Sequence, residues 1–65
     1  MEAEAFLRMP DVMRRTGYSK SRIYALITRG EFPQQVQIGE RATAWLKSEI
    51  DSWIAARIAA SRESS

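Results

Sequence analysis

The 65-residue sequence predicts a mainly α-helical domain with three helices and a small β-hairpin. Apolar residues recur at helical spacing in the second and third helices, and glycines stand where the first two helices should end. Between the second and third helices, apolar and polar residues alternate over positions 36–38, as in a half-buried strand. A chain of this length has room for one domain, 1–65, and we expect order over about residues 5–60 with a frayed polar tail at 61–65.

The first helix is expected over about residues 10–16. Pro10 suits a first helical turn, because its missing N–H would have no intrahelical partner there. Gly17 supplies the left-handed residue that commonly ends a helix. The residues expected to face the core are Val12 and Met13.

The second helix is expected to start after Ser19 and to run to Arg29. The Ser19 hydroxyl can accept a backbone N–H that the first turn leaves free, and Gly30 follows the helix as its stop. A buried stripe at i, i+3, i+4 spacing comprises Ile23, Leu26 and Ile27. Because only residues 17–19 separate the two helices, we expect them to cross steeply, as in a helix-turn-helix.

The hairpin is expected to pair residues 36–38 with residues 42–45 across a charged turn at 39–41. In this position the hairpin corresponds to the wing of a winged helix-turn-helix. The third helix is expected to begin at Ser48, with Asp51 in a capping-box-like position three residues later. The side chains expected in the core are Ile50, Trp53, Ile54 and Ile58 of this helix, together with Trp45.

The composition argues against several classes of protein. The chain has no Cys for disulfides, no Cys or His for a metal site and no glycine-rich phosphate loop, so we expect no enzyme, no cofactor and no metal. No apolar run approaches the roughly 20 residues that cross a bilayer, and residues 1–4 are acidic where a secretory signal would be basic. We therefore expect a cytoplasmic protein with no membrane partner.

The positive charge of the chain lies in its middle. The formal net charge is only +2, but residues 8–41 carry seven bases against three acids, whereas residues 1–7 carry two acids and no base. This distribution favours an anionic partner contacted by the middle segment. A solvated basic face is the alternative, since such faces are common.

The second helix has a small polar face opposite its buried stripe. At 3.6 residues per turn, Ser21 and Thr28 lie on that face, where their hydroxyls could meet base edges in a DNA major groove. The free N–H groups near Ser19 could contact a phosphate, and so could the cations that flank the face. These cations are Lys20, Arg22 and Arg29.

Each of these residues also has a purely structural interpretation. Ser19 and Ser21 could serve only to cap the helix, and the basic side chains could be solvated. Tyr24 could either contact a phosphate or pack its ring on the wing with its hydroxyl exposed. Arg41 at the hairpin tip could touch phosphate or enter the minor groove. Because Glu40 beside it lowers the local positive potential, a plain exposed charge is the alternative.

Four short motifs occur in order along the chain. They are Ser-x-Ser-x-Ile-Tyr at 19–24, Gly-x-Phe-Pro at 30–33, Gly-x-Arg at 39–41, and Trp45 followed by Ser48-Glu49-Ile50. Together, over roughly residues 6–58, they make the sequence similar to the AlpA family of phage and prophage regulators. The resemblance implies a MerR-like or excisionase-like winged helix-turn-helix that binds specific sequences in double-stranded DNA.

The resemblance leaves the biological role open. It implies either a transcriptional regulator of a prophage or mobile element, or an excisionase-type recombination directionality factor that binds attachment-site DNA. A protein-interaction module that docks on an integrase or a regulator is the alternative of another class. The expected partners are double-stranded DNA, an integrase or other protein, and further copies of the chain on DNA. Bound to DNA, the protein would be associated with the nucleoid.

Overall fold

The structure, a computed structural model, describes residues 5–64. It contains three helices and a small antiparallel sheet of three strands, which confirms the predicted mainly helical fold with a β wing. In chain order the elements are β1 (Phe6–Leu7), α1 (Met9–Thr16), α2 (Lys20–Thr28), β2 (Val36–Gln37), β3 (Thr43–Leu46) and α3 (Lys47–Ser64). The acidic N-terminal residues 1–4, and Ser65 of the predicted frayed tail, lie outside the described residues.

Two glycines end the first two helices where the sequence predicts. Gly17 has a φ of 75°, and its N–H donates to the carbonyl of Met13 at 2.8 Å. Gly30, which follows α2, has a φ of 73° and donates its N–H to the carbonyl of Ile27 at 3.0 Å. Residues with a Cβ rarely adopt this left-handed conformation, so glycine is the residue that permits both turns.

Ser19 is the N-cap of α2, as predicted. Its hydroxyl oxygen accepts the backbone N–H of Arg22 at 3.2 Å. This bond satisfies one of the N–H groups that the first turn of a helix leaves unpaired. The helix ends at Thr28, with Arg29 as its C-cap. The short connection from α1 to α2 therefore forms the expected helix-turn-helix pair.

The hairpin forms as predicted, and one further strand adds to it. In the register of β2 and β3, Val36 pairs with Ala44 and Gln37 pairs with Thr43. The strand order is β1-β3-β2, so β1 covers the other edge of β3. The sequence does not indicate β1, because two residues are too few to show an alternating pattern.

The start of α3 differs from the prediction. The helix begins at Lys47, directly after β3, so Ser48 lies in its first turn and the predicted capping box with Asp51 is wrong. The Lys47 N–H donates instead to the carbonyl of Ala5 at 2.8 Å, because the chain ahead of β1 runs beside this junction. The Asp51 carboxylate accepts from Lys47 Nζ at 2.7 Å and from an Arg15 guanidinium nitrogen at 3.1 Å, which links α3 to α1.

One apolar core lies between the helices and the sheet. Trp45 is fully buried and its Nε1–H donates to the carbonyl of Pro33 at 2.8 Å, as a buried indole requires. Trp53 is only half-buried against the core, with its Nε1–H donating to the carbonyl of Glu31 at 3.0 Å. The buried apolar residues of the core are Leu7, Val12, Ile23, Leu26, Phe32, Ala44, Trp45 and Ile50.

The second half of α3 extends beyond this core. Ile58 is 46% exposed, so its predicted place in the buried stripe is wrong. The helix continues past the last residues that pack on the core, and positions 55–63 are all exposed. Residues 61–64 are helical in the structure, and their fraying stays a prediction. Within residues 5–64 no helix is both long enough and apolar enough to cross a membrane.

Candidate nucleic-acid interface

The core anchors α2 by one face and leaves the opposite face open to solvent. Ile23 and Leu26 are buried, whereas Ser21, Ala25 and Thr28 on the other side are exposed. These three outward side chains are short, so the helix is slim on that side. A major groove about 12 Å wide admits a helix of this kind.

The two hydroxyls of this face differ in what they can donate. Thr28 Oγ1 donates to the carbonyl of Tyr24 at 3.0 Å, one turn earlier in the helix, so only its lone pairs are available to a ligand. The Ser21 hydroxyl makes no hydrogen bond with any residue from 5 to 64 and can both donate and accept. Ser21 is therefore the more versatile of the two predicted base-edge contacts.

The predicted phosphate-binding cations have different partners. Arg22 lies over the ring of Tyr18, with the guanidinium carbon 4.9 Å from the ring centroid, and this stacking orients the side chain while leaving its charge unpaired. Arg29 forms an ion pair with Glu31, with Nε 3.2 Å from a carboxylate oxygen. Its charge is partly neutralised, which makes Arg29 a weaker phosphate candidate than Arg22.

The remaining cations divide by whether a carboxylate faces them. Arg14 pairs with Asp11, and Arg15 and Lys47 share Asp51. Five cations make no ion pair with a carboxylate in the described part of the chain, and they are Arg8, Lys20, Arg22, Arg41 and Arg57. Three of them are predicted DNA contacts. Of the other two, Arg57 lies over the ring of Trp53 on α3, with its guanidinium carbon 5.2 Å from the ring centroid. Arg8 was missed because it precedes α1 and belongs to no helical pattern.

Arg41 lies at the tip of the hairpin, as predicted. Residues 38–41 are all exposed, and the tip is closed by a hydrogen bond from Gln37 Nε2 to the carbonyl of Glu40 at 3.3 Å. The Glu40 carboxylate makes no ion pair with Arg41, which leaves the arginine charge available to a ligand.

A cleft joins α1, α2 and the sheet, and we call it the inter-element cleft. Its lining comes from the start of α1, from α2 and from the hairpin, and comprises Arg8, Met9, Pro10, Lys20, Tyr24, Gln35 and Thr43. Tyr24 is 42% exposed and borders the hairpin residues, so its ring lies beside the wing. Sequence reasoning missed this cleft, because its residues are up to 35 positions apart and meet only in the folded chain.

A second groove has the opposite electrostatic character. It runs between the segment 30–33 and the first turns of α3, and both Glu31 and Glu49 line it beside Trp53. Carboxylates there disfavour an anionic ligand. Within residues 5–64, no group of three or more His, Cys, Asp or Glu side chains could hold a metal ion.

Comparison with known proteins supports a phage-type regulator. Residues 5–58 match the family model described as prophage CP4-57 regulatory protein (AlpA). The chain is 55% identical over 56 residues to uncharacterized protein ORF88 of Enterobacteria phage P4, a match covering 86% of this chain and 64% of that protein. It is 30% identical over 61 residues to the DNA-binding transcriptional activator AlpA of Escherichia coli K12, covering 85% of this chain and 87% of that protein. The chain therefore belongs to the AlpA family of prophage regulatory proteins.

Proposed function

We propose that the protein binds specific sequences in double-stranded DNA and regulates transcription from a prophage or mobile element. The observation that carries the proposal is the exposed face of α2, which combines short side chains with the unpaired cations Lys20 and Arg22. The family assignment and the activator from Escherichia coli support the same function.

In the proposed complex α2 enters the major groove. Ser21 and Thr28 lie at base edges, with Ser21 able to donate or accept and Thr28 restricted to accepting, for example from an amino group of cytosine or adenine. Lys20 and Arg22 contact phosphates, and Arg41 at the wing tip contacts the adjacent backbone or minor groove. Phosphate contacts supply affinity, while the base edges supply the choice of sequence.

One small domain reads a short stretch of groove and binds it weakly. Single DNA-binding modules bury only about 600–1,000 Å² of protein surface, which limits both affinity and specificity. We therefore expect repeated sites, with several copies of the chain bound side by side. The chain spans 64% of the length of the phage P4 relative, and any protein partner of the whole molecule is likewise a proposal.

Selection from a pool of random duplexes tests the proposed function. We expect a recurrent sequence to be enriched, and the purified protein to bind it more tightly than a scrambled duplex at several salt concentrations. The logarithm of the binding constant should fall with the logarithm of salt concentration at a slope of about −0.9 per phosphate contact. Equal affinity for selected and scrambled duplexes would contradict sequence-specific binding.

Footprinting on the selected site in its genomic context distinguishes the two biological roles. Protection beside a promoter supports transcriptional regulation, and protection at an attachment core supports a recombination directionality factor. A protein partner that remains bound after nuclease treatment would identify an interaction module instead. Because the proposed partner is DNA, we expect the protein in the cytoplasm, associated with the nucleoid.

A further inference from the structure

We propose that the inter-element cleft holds one phosphate of the DNA backbone and sets the angle at which α2 lies in the groove. The proposal rests on the proposed DNA-binding function and assigns a contact site that includes three polar residues outside the predicted DNA contacts. They are Arg8, Gln35 and Thr43.

The charges of the cleft favour an anion. Arg8 and Lys20 both line it, and neither forms an ion pair with a carboxylate of residues 5–64. The lining contains no Asp or Glu. Asp11, the acid close by on α1, is already occupied by Arg14 and by the backbone N–H of Arg8. Two like charges beside one cleft repel each other, and an anion between them removes that repulsion.

The neutral residues of the cleft supply hydrogen-bond donors. Thr43 Oγ1 accepts the amide of Gln35 at 3.1 Å, which leaves the hydroxyl hydrogen of Thr43 free to donate to a ligand. The Tyr24 hydroxyl makes no hydrogen bond within residues 5–64 and is a further donor. A phosphate oxygen accepts several such bonds, and bonds to a charged acceptor are the stronger kind.

The position of the cleft points to a phosphate of DNA and not to a free anion. Lys20 is the first residue of α2 and precedes Ser21, the versatile base-edge candidate. A phosphate bound by Lys20 would therefore flank the bases that Ser21 meets. Since the other walls of the cleft belong to α1 and to the hairpin, this one contact would fix three elements relative to the duplex.

A scan with neutral phosphates tests the site. The probes are copies of the selected duplex, each carrying one methylphosphonate in place of one phosphate. We expect the wild-type protein to lose about tenfold or more in affinity at the position that occupies the cleft, because charge-assisted bonds are lost there. Arg8→Ala should bind the unmodified duplex more weakly, and its affinity should no longer respond to that substitution.

One further variant is a control, and another is a second test of the cleft. Arg57→Ala removes the same charge from α3, outside the cleft and without freeing a carboxylate, and should keep the full response to the methylphosphonate. Thr43→Val keeps a β-branched side chain in β3 but removes the hydroxyl donor. It should therefore reduce the affinity loss caused by the methylphosphonate without unfolding the hairpin. Circular dichroism of each variant verifies the fold, and Arg8 is exposed, so its removal leaves no cavity.

Two outcomes would overturn the cleft assignment. In the first, the protein binds the selected duplex but Arg8→Ala and Arg57→Ala respond alike at every backbone position, in which case the proposed function stands alone. In the second, inorganic phosphate titrated into the DNA-free protein saturates the amide shifts of Tyr24 and Thr43 below the millimolar range, which would make the cleft a small-anion site. Failure to select any duplex would remove both proposals together.

Discussion

At the scale of single residues, a polar side chain of α2 is fully available to DNA only if no bond within the protein already occupies it. The Ser19 hydroxyl oxygen caps the N-terminus of the helix, and the Thr28 hydroxyl donates its hydrogen bond to the helix backbone. Ser21 and Arg22 keep their hydrogen-bonding groups or charge available. The two serines of the Ser-x-Ser motif therefore have different tasks, although they are the same residue type two positions apart.

Replacement of Arg22 tests the assignment of a phosphate contact. Arg22→Ala should weaken binding to selected and scrambled duplexes alike and should reduce the salt slope by roughly one unit, because a phosphate contact carries no sequence information. Equilibrium binding at several salt concentrations measures both effects. Arg22→Lys keeps the charge but not the planar group over Tyr18, so its slope should stay near that of the wild type. A slope unchanged in Arg22→Ala would exclude the contact.

At the scale of the elements, the two helix-ending glycines determine where the helix-turn-helix bends. A Cβ at Gly17 would meet no heavy atom within 4 Å, so the space around the residue is not what requires glycine. The requirement comes from the backbone, which adopts a φ of 75° there. Left-handed backbone is strained for residues with a Cβ by roughly 1–2 kcal/mol.

Gly17→Ala should lower the free energy of unfolding by about 1–2 kcal/mol, as that backbone strain predicts. Gly39→Ala is the matched control, because its φ is not in the left-handed range and its new Cβ would meet Ala42 Cβ at an ordinary 3.6 Å. The control should be neutral or slightly stabilising. Urea denaturation of the two variants beside the wild type provides the comparison, and equal losses would contradict the backbone explanation.

A carboxylate links α3 to α1 and makes stability depend on pH. The hydrogen bond from the Lys47 ammonium lowers the pKa of Asp51, and the charges of Lys47 and Arg15 act in the same direction, against a smaller rise from desolvation. A carboxyl group whose pKa is lower in the folded state stabilises that state above its unfolded pKa of about 3.9. The stabilisation disappears as the pH falls through the folded pKa.

Asp51→Asn should therefore be less stable than the wild type near neutral pH, with the difference shrinking as the pH falls below about 4. Thermal unfolding of both proteins between neutral and strongly acidic pH measures this difference in stability. Lys47→Met removes the largest cause of the pKa shift. In that background, the difference in stability between the proteins with Asp and with Asn at position 51 should be smaller. A difference in stability that stays constant with pH would indicate that the Asp51 charge does not stabilise the fold.

At the scale of the whole molecule, one buried indole connects separate segments of the chain. Trp45 pairs with Leu7 of β1, stacks edge-on against Phe32 at a centroid distance of 6.1 Å and bonds to the carbonyl of Pro33. The segment after α2, the edge strand β1 and the core are thereby connected. Trp45 thus positions the hairpin relative to α2, and with it the two surfaces that the proposed DNA complex needs.

Trp45→Phe should lower the free energy of unfolding by about 1–3 kcal/mol, since it leaves the Pro33 carbonyl without its donor and opens a void. Trp53→Phe removes a comparable bond to the Glu31 carbonyl, but solvent reaches this half-buried ring and can replace the donor. Trp53→Phe should therefore lower the free energy of unfolding by less than Trp45→Phe does. Guanidinium denaturation ranks the two variants, and a larger loss for Trp53→Phe would contradict the central place of Trp45.

Much of the fold could be predicted from the sequence, because its signals are local. Glycine after a helix, serine before one and the alternation at 36–38 each reflect the conformation of a few neighbouring residues. The two helix ends, the N-cap and the hairpin were confirmed, but the strand covers only Val36–Gln37 and Ile38 is exposed. The start of α3 and the burial of Ile58 were predicted wrongly. The start of α3 depends on its junction with β3 and the chain ahead of β1, and the exposure of Ile58 depends on how far the core reaches along the helix. The periodicity of the helix contains neither piece of information.

The sequence by itself determined the kinds of element, their order and the exposed polar face of α2, since propensity and periodicity act within a few residues. Only the tertiary structure decided which of the exposed charges stay unpaired and which residues share a cleft. Arg29 pairs with Glu31 and Arg15 pairs with Asp51, whereas Arg8 and Lys20 line one cleft together with Thr43. Electrostatic interactions depend on distance in space, and that distance is set by the packing of the helices on the sheet.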